Sequence, residues 1–86
     1  MNKVFSDTAW EHYEYWIDNN EKNILKRINE LIKDIDRNGY NGIGKPEPLK
    51  NELSGFWSRR IDDEHRIIYR IDKENIYIIK CKGHYK

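Results

Sequence analysis

Between Ile24 and Ile35 the chain places Ile24, Leu25, Ile28, Leu31, Ile32 and Ile35 at i, i+1, i+4, i+7, i+8 and i+11, and every position between them is polar or charged. At 3.6 residues per turn these aliphatic side chains fall on one stripe of a helix. The helix is predicted to begin near Asn19 or Asn20 and to stop at Asn38-Gly39, a C-terminal signal in which glycine takes the left-handed conformation. Such a helix gains most of its stability by laying its stripe on something apolar, so the rest of the chain must supply a surface. Upstream, Lys3 to Phe5 reads as a short strand. Ser6 is a candidate N-cap for a first helix in which Ala9, Trp10, Tyr13, Trp16 and Ile17 repeat at helical spacing.

The surface has to come from the second half. Phe56 to Ile61 and Glu64 to Ile71 read as two strands joined by Asp62-Asp63, and a last strand follows a turn at Asp72 to Asn75. Side chains alternate between faces along a strand. Ile67, Tyr69 and Ile71 then share one face, while Glu64, Arg66 and Arg70 share the other with Ile68. In the last strand Tyr77, Ile79 and Cys81 oppose Ile78, Lys80, Lys82 and His84. The odd positions are expected under the helices, leaving Arg66, Lys82 and His84 together on the open face, joined by Arg60. The predicted class is α+β: a short N-terminal strand, then two helices packed on one face of an antiparallel sheet of three or four strands. Eighty-six residues predict one domain spanning 1–86, with a small core that buries about 60 to 65% of the unfolded surface.

Charged residues reach 36%, yet three Trp, six Tyr and two Phe provide the apolar bulk of a folded chain. The net charge of +1 conceals an asymmetry. Residues 1–43 carry six basic and eight acidic groups, whereas residues 44–86 carry ten and seven, so a polyanion would be met by the second half. A single cysteine, Cys81, excludes an intrachain disulfide, and no positive segment leads into an apolar run at the N-terminus. A cytoplasmic protein with no membrane partner is expected. No Cys/His/Asp cluster has metal-ligand spacing, no glycine-rich loop opens a helix and no Ser-His-Asp set can be argued, so neither metal nor cofactor is expected.

Glycine, proline, aromatic and arginine residues concentrate between Gly44 and Tyr69. In Gly44-Lys45-Pro46-Glu47-Pro48-Leu49-Lys50 two prolines hold Glu47 on a stiff, non-helical segment. Arg59, Arg60, Arg66 and Arg70 along the following strands suggest phosphate recognition. Through GKPEPLK, LSGFWSRRI, EHR and the terminal HY, in that order and nearly end to end, the chain resembles the YoeB family of bacterial toxins within the RelE/ParE superfamily. The resemblance implies a RelE-like, microbial-ribonuclease-like fold and a ribosome-dependent mRNA endoribonuclease, the toxin of a type II toxin-antitoxin system. By the same resemblance Glu47 would be the general base, Arg66 the phosphate clamp with Lys50 assisting, and His84 the general acid. Glu64 would orient Arg66, Tyr85 would contact substrate, and Arg60 and Lys82 would bind RNA backbone. Cutting RNA without a metal needs just these groups: a base for the 2′-hydroxyl, cations for the phosphate and an acid for the departing 5′-oxygen. The implied partners are the ribosome with A-site mRNA, a YefM/Phd-like antitoxin with a disordered acidic tail, and a second copy in a homodimer.

Ordinary structural roles compete with each of these. Glutamates such as Glu47 usually sit solvated on loops, and Arg59, Arg60 and Arg70 read as surface or salt-bridged strand residues. His65 shares the parity of Ile67 and is expected to be a partly buried structural histidine, with His12 at the edge of the first helix's stripe. Trp10, Trp16, Phe56 and Trp57 are expected in the core or an interface, and Cys81 in the core. The chain departs from the family pattern in carrying Lys82 and Gly83 before His84-Tyr85 and an extra Lys86, and Gly83 is expected to loosen the backbone beside His84. Two other readings stand beside the ribonuclease: a ParE-like gyrase-inhibiting toxin, and a non-catalytic RNA- or antitoxin-binding module.

Overall fold

A computed structural model describes residues 1–84. Its elements are β1 (Asn2–Phe5), α1 (Asp7–Asp18), α2 (Lys22–Asn38), β2 (Glu47–Pro48), a 3-10 turn (Asn51–Leu53), β3 (Trp57–Arg60), β4 (Arg66–Asp72) and β5 (Asn75–Lys80). Ser6 caps α1 as the sequence suggests, its Oγ accepting the Ala9 N–H at 3.0 Å. The same hydroxyl donates to the Ile79 carbonyl at 3.1 Å and so ties the start of α1 to β5. Helix α2 buries Ile28, Leu31, Ile32 and Ile35, and ends where Gly39, at φ +67°, donates its N–H to Ile35 O at 2.8 Å. In α1 only Ala9 and Trp16 are buried, while Trp10 and Ile17 are each 47% exposed. At 100° per residue these two lie about 80 to 100° around the helix from Ala9, beyond the strip the sheet covers.

The sheet has five strands in the order β1-β5-β4-β3-β2 and is mixed, because β1 runs parallel to β5 (Asn2↔Asn75 to Phe5↔Ile78) while the other pairs are antiparallel. This corrects the expected three- or four-stranded antiparallel sheet. The additional strand at the far edge is β2, where Glu47 pairs with Ser58 and Pro48 with Trp57. An edge is where a proline fits a sheet, since its missing N–H is not needed by a neighbour there. Among the described residues no helix is long and apolar enough to cross a membrane.

Face alternation holds in β4, where Ile67 and Tyr69 enter the core, but it is reversed in β5. There Ile76 and Ile78 are buried beneath the helices, followed by Cys81, and Tyr77 and Ile79 are not part of that core. The register explains the reversal. Tyr69 faces Ile78 and Ile68 faces Lys80, which leaves Ile79 as an extra residue in a bulge, so the core positions step by two and then by three.

Arg59, expected as a surface or salt-bridged strand residue, is salt-bridged to Asp34 and is fully buried. All five guanidinium N–H donors are used. Nε donates to Tyr69 Oη (3.0 Å), Nη1 to the Asp34 carboxylate and to Ile43 O (3.1 Å), and Nη2 to Gly39 O (2.9 Å) and Asn41 O (2.7 Å). One side chain thus organises the whole α2–β2 connection. The Arg59 hydrogen bond holds the Asp34 carboxyl below the usual carboxylate range, with the Ile43 N–H assisting. Gly42 is required there, since a Cβ would lie 1.9 Å from Asp34 Oδ2 and its φ is +128°.

Candidate active site

The face of the sheet opposite the helices carries the candidate residues, and strand register fixes their order. Glu47 of β2 lies opposite Ser58, and Ser58 lies opposite Ile68, which in turn faces Lys80. Residues directly opposite one another share a face, so Glu47 stands on the open face in one row with Lys80. Two residues along β3 is Arg60, directly opposite Arg66. Strands about 4.8 Å apart and a rise of about 3.4 Å per residue put the Glu47 and Arg66 Cα atoms about 12 Å apart on this face. The two prolines that make this segment stiff leave a two-residue strand that carries Glu47. Glu47 and Lys50 line one shallow depression of about 330 Å³.

Arg66 bonds fewer described partners than Arg59. The residue is buried, and Nη1 donates to Asp62 O (2.8 Å) and His65 O (3.1 Å). Nε and Nη2 make no hydrogen bond to another described residue. The group is held through Nη1 by backbone carbonyls. Neither Arg60 nor Arg66 forms an ion pair among the described residues, although like charges directly opposite on a sheet repel. An anion between them would relieve that repulsion.

The segment after β5 brings His84 to the same end of β4. Arg66 N–H donates to Gly83 O at 3.0 Å, Gly83 N–H donates to His65 Nδ1 at 2.8 Å, and His84 Nε2 lies 3.4 Å from Asp63 O. Gly83 takes φ +81°, a conformation that favours glycine. Its N–H and its carbonyl are both bonded, to consecutive residues of the β4 entrance, two restraints on a backbone that glycine was expected to loosen. Tyr85 lies outside the described residues.

Two expected placements fail. Lys82 does not join Arg66, because the chain turns after Cys81 and sets Lys82 Nζ 4.8 Å over the ring of Tyr15 in α1. Glu64 is 78% exposed and approaches His65 Nε2 (3.7 Å), while Arg66 is oriented by carbonyls, so the expected Glu64 to Arg66 contact is not formed. His65 is half-buried with its ring edge-on to Trp16 (centroids 4.7 Å), the structural position its parity implied. Cys81 is buried and its thiol is pushed up to about 12, which makes it inert as a nucleophile. Sequence reasoning missed β2 as a strand. Arg70 is the salt-bridged strand residue expected, 3.6 Å from the Asp72 carboxylate and 4.4 Å over the Tyr77 ring on the open face.

His12 accepts the Cys81 N–H at Nδ1 (3.2 Å). Burial lowers its pKa from the ordinary value of 6.5, Lys82 and Lys80 lower it further, and Glu11 opposes them. The unfolded chain then takes up the proton at a higher pH than the folded one, so stability is fully present above about 6.5 and falls as pH drops below it. Urea midpoints measured at about pH 7.5 and about pH 5.5 should differ in that sense, and His12→Gln should remove part of the difference. A loss of equal size in His12→Gln would assign it to other groups.

Residues 5–85 match the model of a family described as the YoeB-like toxin of bacterial type II toxin-antitoxin systems. The chain belongs to this family. Toxin YoeB of Escherichia coli K12 is 49% identical over 85 residues, covering 99% of this chain and 100% of that one. Two solved structures from Staphylococcus aureus superpose closely. A YoeB dimer has TM-score 0.91 at 52% identity, and a YoeB-YefM complex has TM-score 0.91 at 53% identity; each comparison covers 99% of this chain and 98% of the other. The chain is thus similar throughout to YoeB toxins, and the segments that carry the likeness include those that build the open face described above.

Proposed function

We propose that this protein is a ribosome-dependent mRNA endoribonuclease, acting in the cytoplasm as the toxin of a type II toxin-antitoxin pair and cleaving mRNA in the ribosomal A site. The observation that carries this reading is the Arg60-Arg66 pair, two opposed cations with no carboxylate partner among the described residues, set beside Glu47 on the same face. In the proposed reaction Glu47 takes the proton of a 2′-hydroxyl, and the 2′-oxygen attacks the adjacent phosphorus. Arg66 donates Nε–H and Nη2–H bonds to the phosphoryl oxygens as negative charge builds on them, and Lys50 adds charge from the depression it shares with Glu47. The bond to the 5′-oxygen breaks, and His84 returns a proton to that oxygen. Arg60 holds a neighbouring phosphate, and Tyr85 contacts the substrate. No step calls for a metal ion. Glu64 approaches His65 and Lys82 lies toward α1, so neither has a part in the proposed reaction.

Few phosphates can be neutralised at once on so small a face, and electrostatic affinity for free RNA grows with that number. mRNA already ordered by the ribosome meets the site with much of its entropic cost removed. Comparing one transcript free and ribosome-bound, at matched enzyme concentration, tests the reading: the bound transcript should be cut far faster, and equal rates would place the protein among autonomous ribonucleases.

The S. aureus relatives, solved as a dimer and as a complex with YefM, support a homodimer and a YefM-like antitoxin as partners. A disordered acidic tail would be drawn to Arg60 and Arg66, ordering there and closing the entry to RNA.

A further inference from the structure

We infer that His65 is a positioning residue for His84, acting through the backbone of Gly83. This rests on the reading of His84 as the general acid. Three observations support it. The His65 Nδ1 accepts the Gly83 N–H at 2.8 Å, a bond that only the unprotonated nitrogen can make. The next backbone link runs the opposite way, Arg66 N–H donating to Gly83 O at 3.0 Å, so the peptide groups on either side of Gly83 are locked to His65 and Arg66. The His65 ring is in turn fixed edge-on against Trp16, whose Nε1–H donates to Cys81 O at 3.0 Å, and Cys81 N–H donates to His12 Nδ1. The segment that carries His84 is therefore suspended from side chains of α1 and from the entrance of β4, with no strand pairing of its own, since β5 ends at Lys80.

The geometry matters because Gly83 at φ +81° has more conformations available than any other residue, and a backbone rotation there swings His84 directly. His65 removes that freedom. It does so on the residue adjacent to Arg66, so the acid and the phosphate clamp are placed by neighbouring positions of one chain segment. A displacement on the order of 1 Å at a reacting group costs about 100-fold in rate.

The test compares two substitutions. His65→Phe keeps the ring against Trp16 and removes the acceptor. His65→Asn gives up the ring and keeps an oxygen where Nδ1 stood. Single-turnover cleavage on mRNA-programmed ribosomes should fall by about 100-fold in His65→Phe with ribosome affinity unchanged, and should stay within roughly tenfold of wild type in His65→Asn. Amide hydrogen exchange at Gly83 should lose protection in His65→Phe and keep it in His65→Asn. Wild-type rates in His65→Phe, or full Gly83 protection in that variant, would overturn the inference. Should His65→Phe not fold, loss of Gly83 protection in a folded His65→Asn would overturn it and retained protection would uphold it. His84→Gln serves as the separate control: if it cuts normally, the general-acid reading fails, and Gly83 exchange still reports whether His65 holds the segment.

Discussion

Arg66→Ala is expected to slow single-turnover cleavage of ribosome-bound mRNA by about 100- to 1,000-fold, the usual consequence of removing a preorganised charge contact to the transition state. Stability should change little by comparison. Among the described residues Arg66 makes two side-chain bonds, both to backbone carbonyls at the start of β4, and the apolar core lies on the other side of the sheet. Removing one of two directly opposed arginines also relieves the repulsion with Arg60, which offsets part of the lost bonding. The variant should therefore unfold near the wild-type urea concentration while cutting far more slowly. A rate within tenfold of wild type would remove Arg66 from the mechanism.

Arg59→Met should behave in the opposite manner. It deletes all five donors of a fully buried guanidinium, orphans the Gly39, Asn41 and Ile43 carbonyls and the Tyr69 hydroxyl, and leaves Asp34 without its cation. Breaking a buried pair by removing one partner costs about 3 to 5 kcal/mol, a large share of what a small domain has. Loss of cooperative unfolding, or a urea midpoint far below wild type, is the expected result, and a midpoint close to wild type would show the network to be dispensable. The contribution also has a pH signature. The Asp34 carboxyl is held below its ordinary value by Arg59, so the stabilisation is present at neutral pH and is lost as acid carries the solution below about pH 4. Arg59→Met should show less of that acid sensitivity.

These two arginines, seven positions apart, show where sequence reading succeeds and where it stops. The stripe from Ile24 to Ile35 was legible because helical periodicity depends on near neighbours, and the stop at Asn38-Gly39 and the cap at Ser6 are likewise local. Arg59 was not legible as a core residue, since its burial depends on acceptors gathered from a glycine-containing loop and from α2. An aspartate at position 34 beside an apolar stripe was the available sign. The β5 faces were misassigned because alternation assumes an unbroken ladder, and the extra residue at Ile79 reverses it. The placement of Lys82 failed for the same kind of reason, since the chain leaves the strand before reaching it. Glu47 was legible as a held carboxylate. That it is held by a strand was hidden by the prolines, which argue against pairing everywhere except at an edge.

The parallel pairing of β1 with β5 has a consequence for how the protein is made. Asn2 waits for Asn75, so the outer edge of the sheet closes only after β5 has left the ribosome. During synthesis, at roughly 5 to 20 residues per second, α1 and α2 emerge seconds before the strands they cover. Over that interval the nascent chain has Glu47 in its sequence but no β4 to set Arg66 beside Arg60, and no Gly83 to place His84. Long-range pairing of this kind is slow and comes late in folding. If the proposed attack on translated messages holds, the polypeptide is unarmed while its own message is being read, and becomes competent only once the strands nearest its C-terminal end are in place.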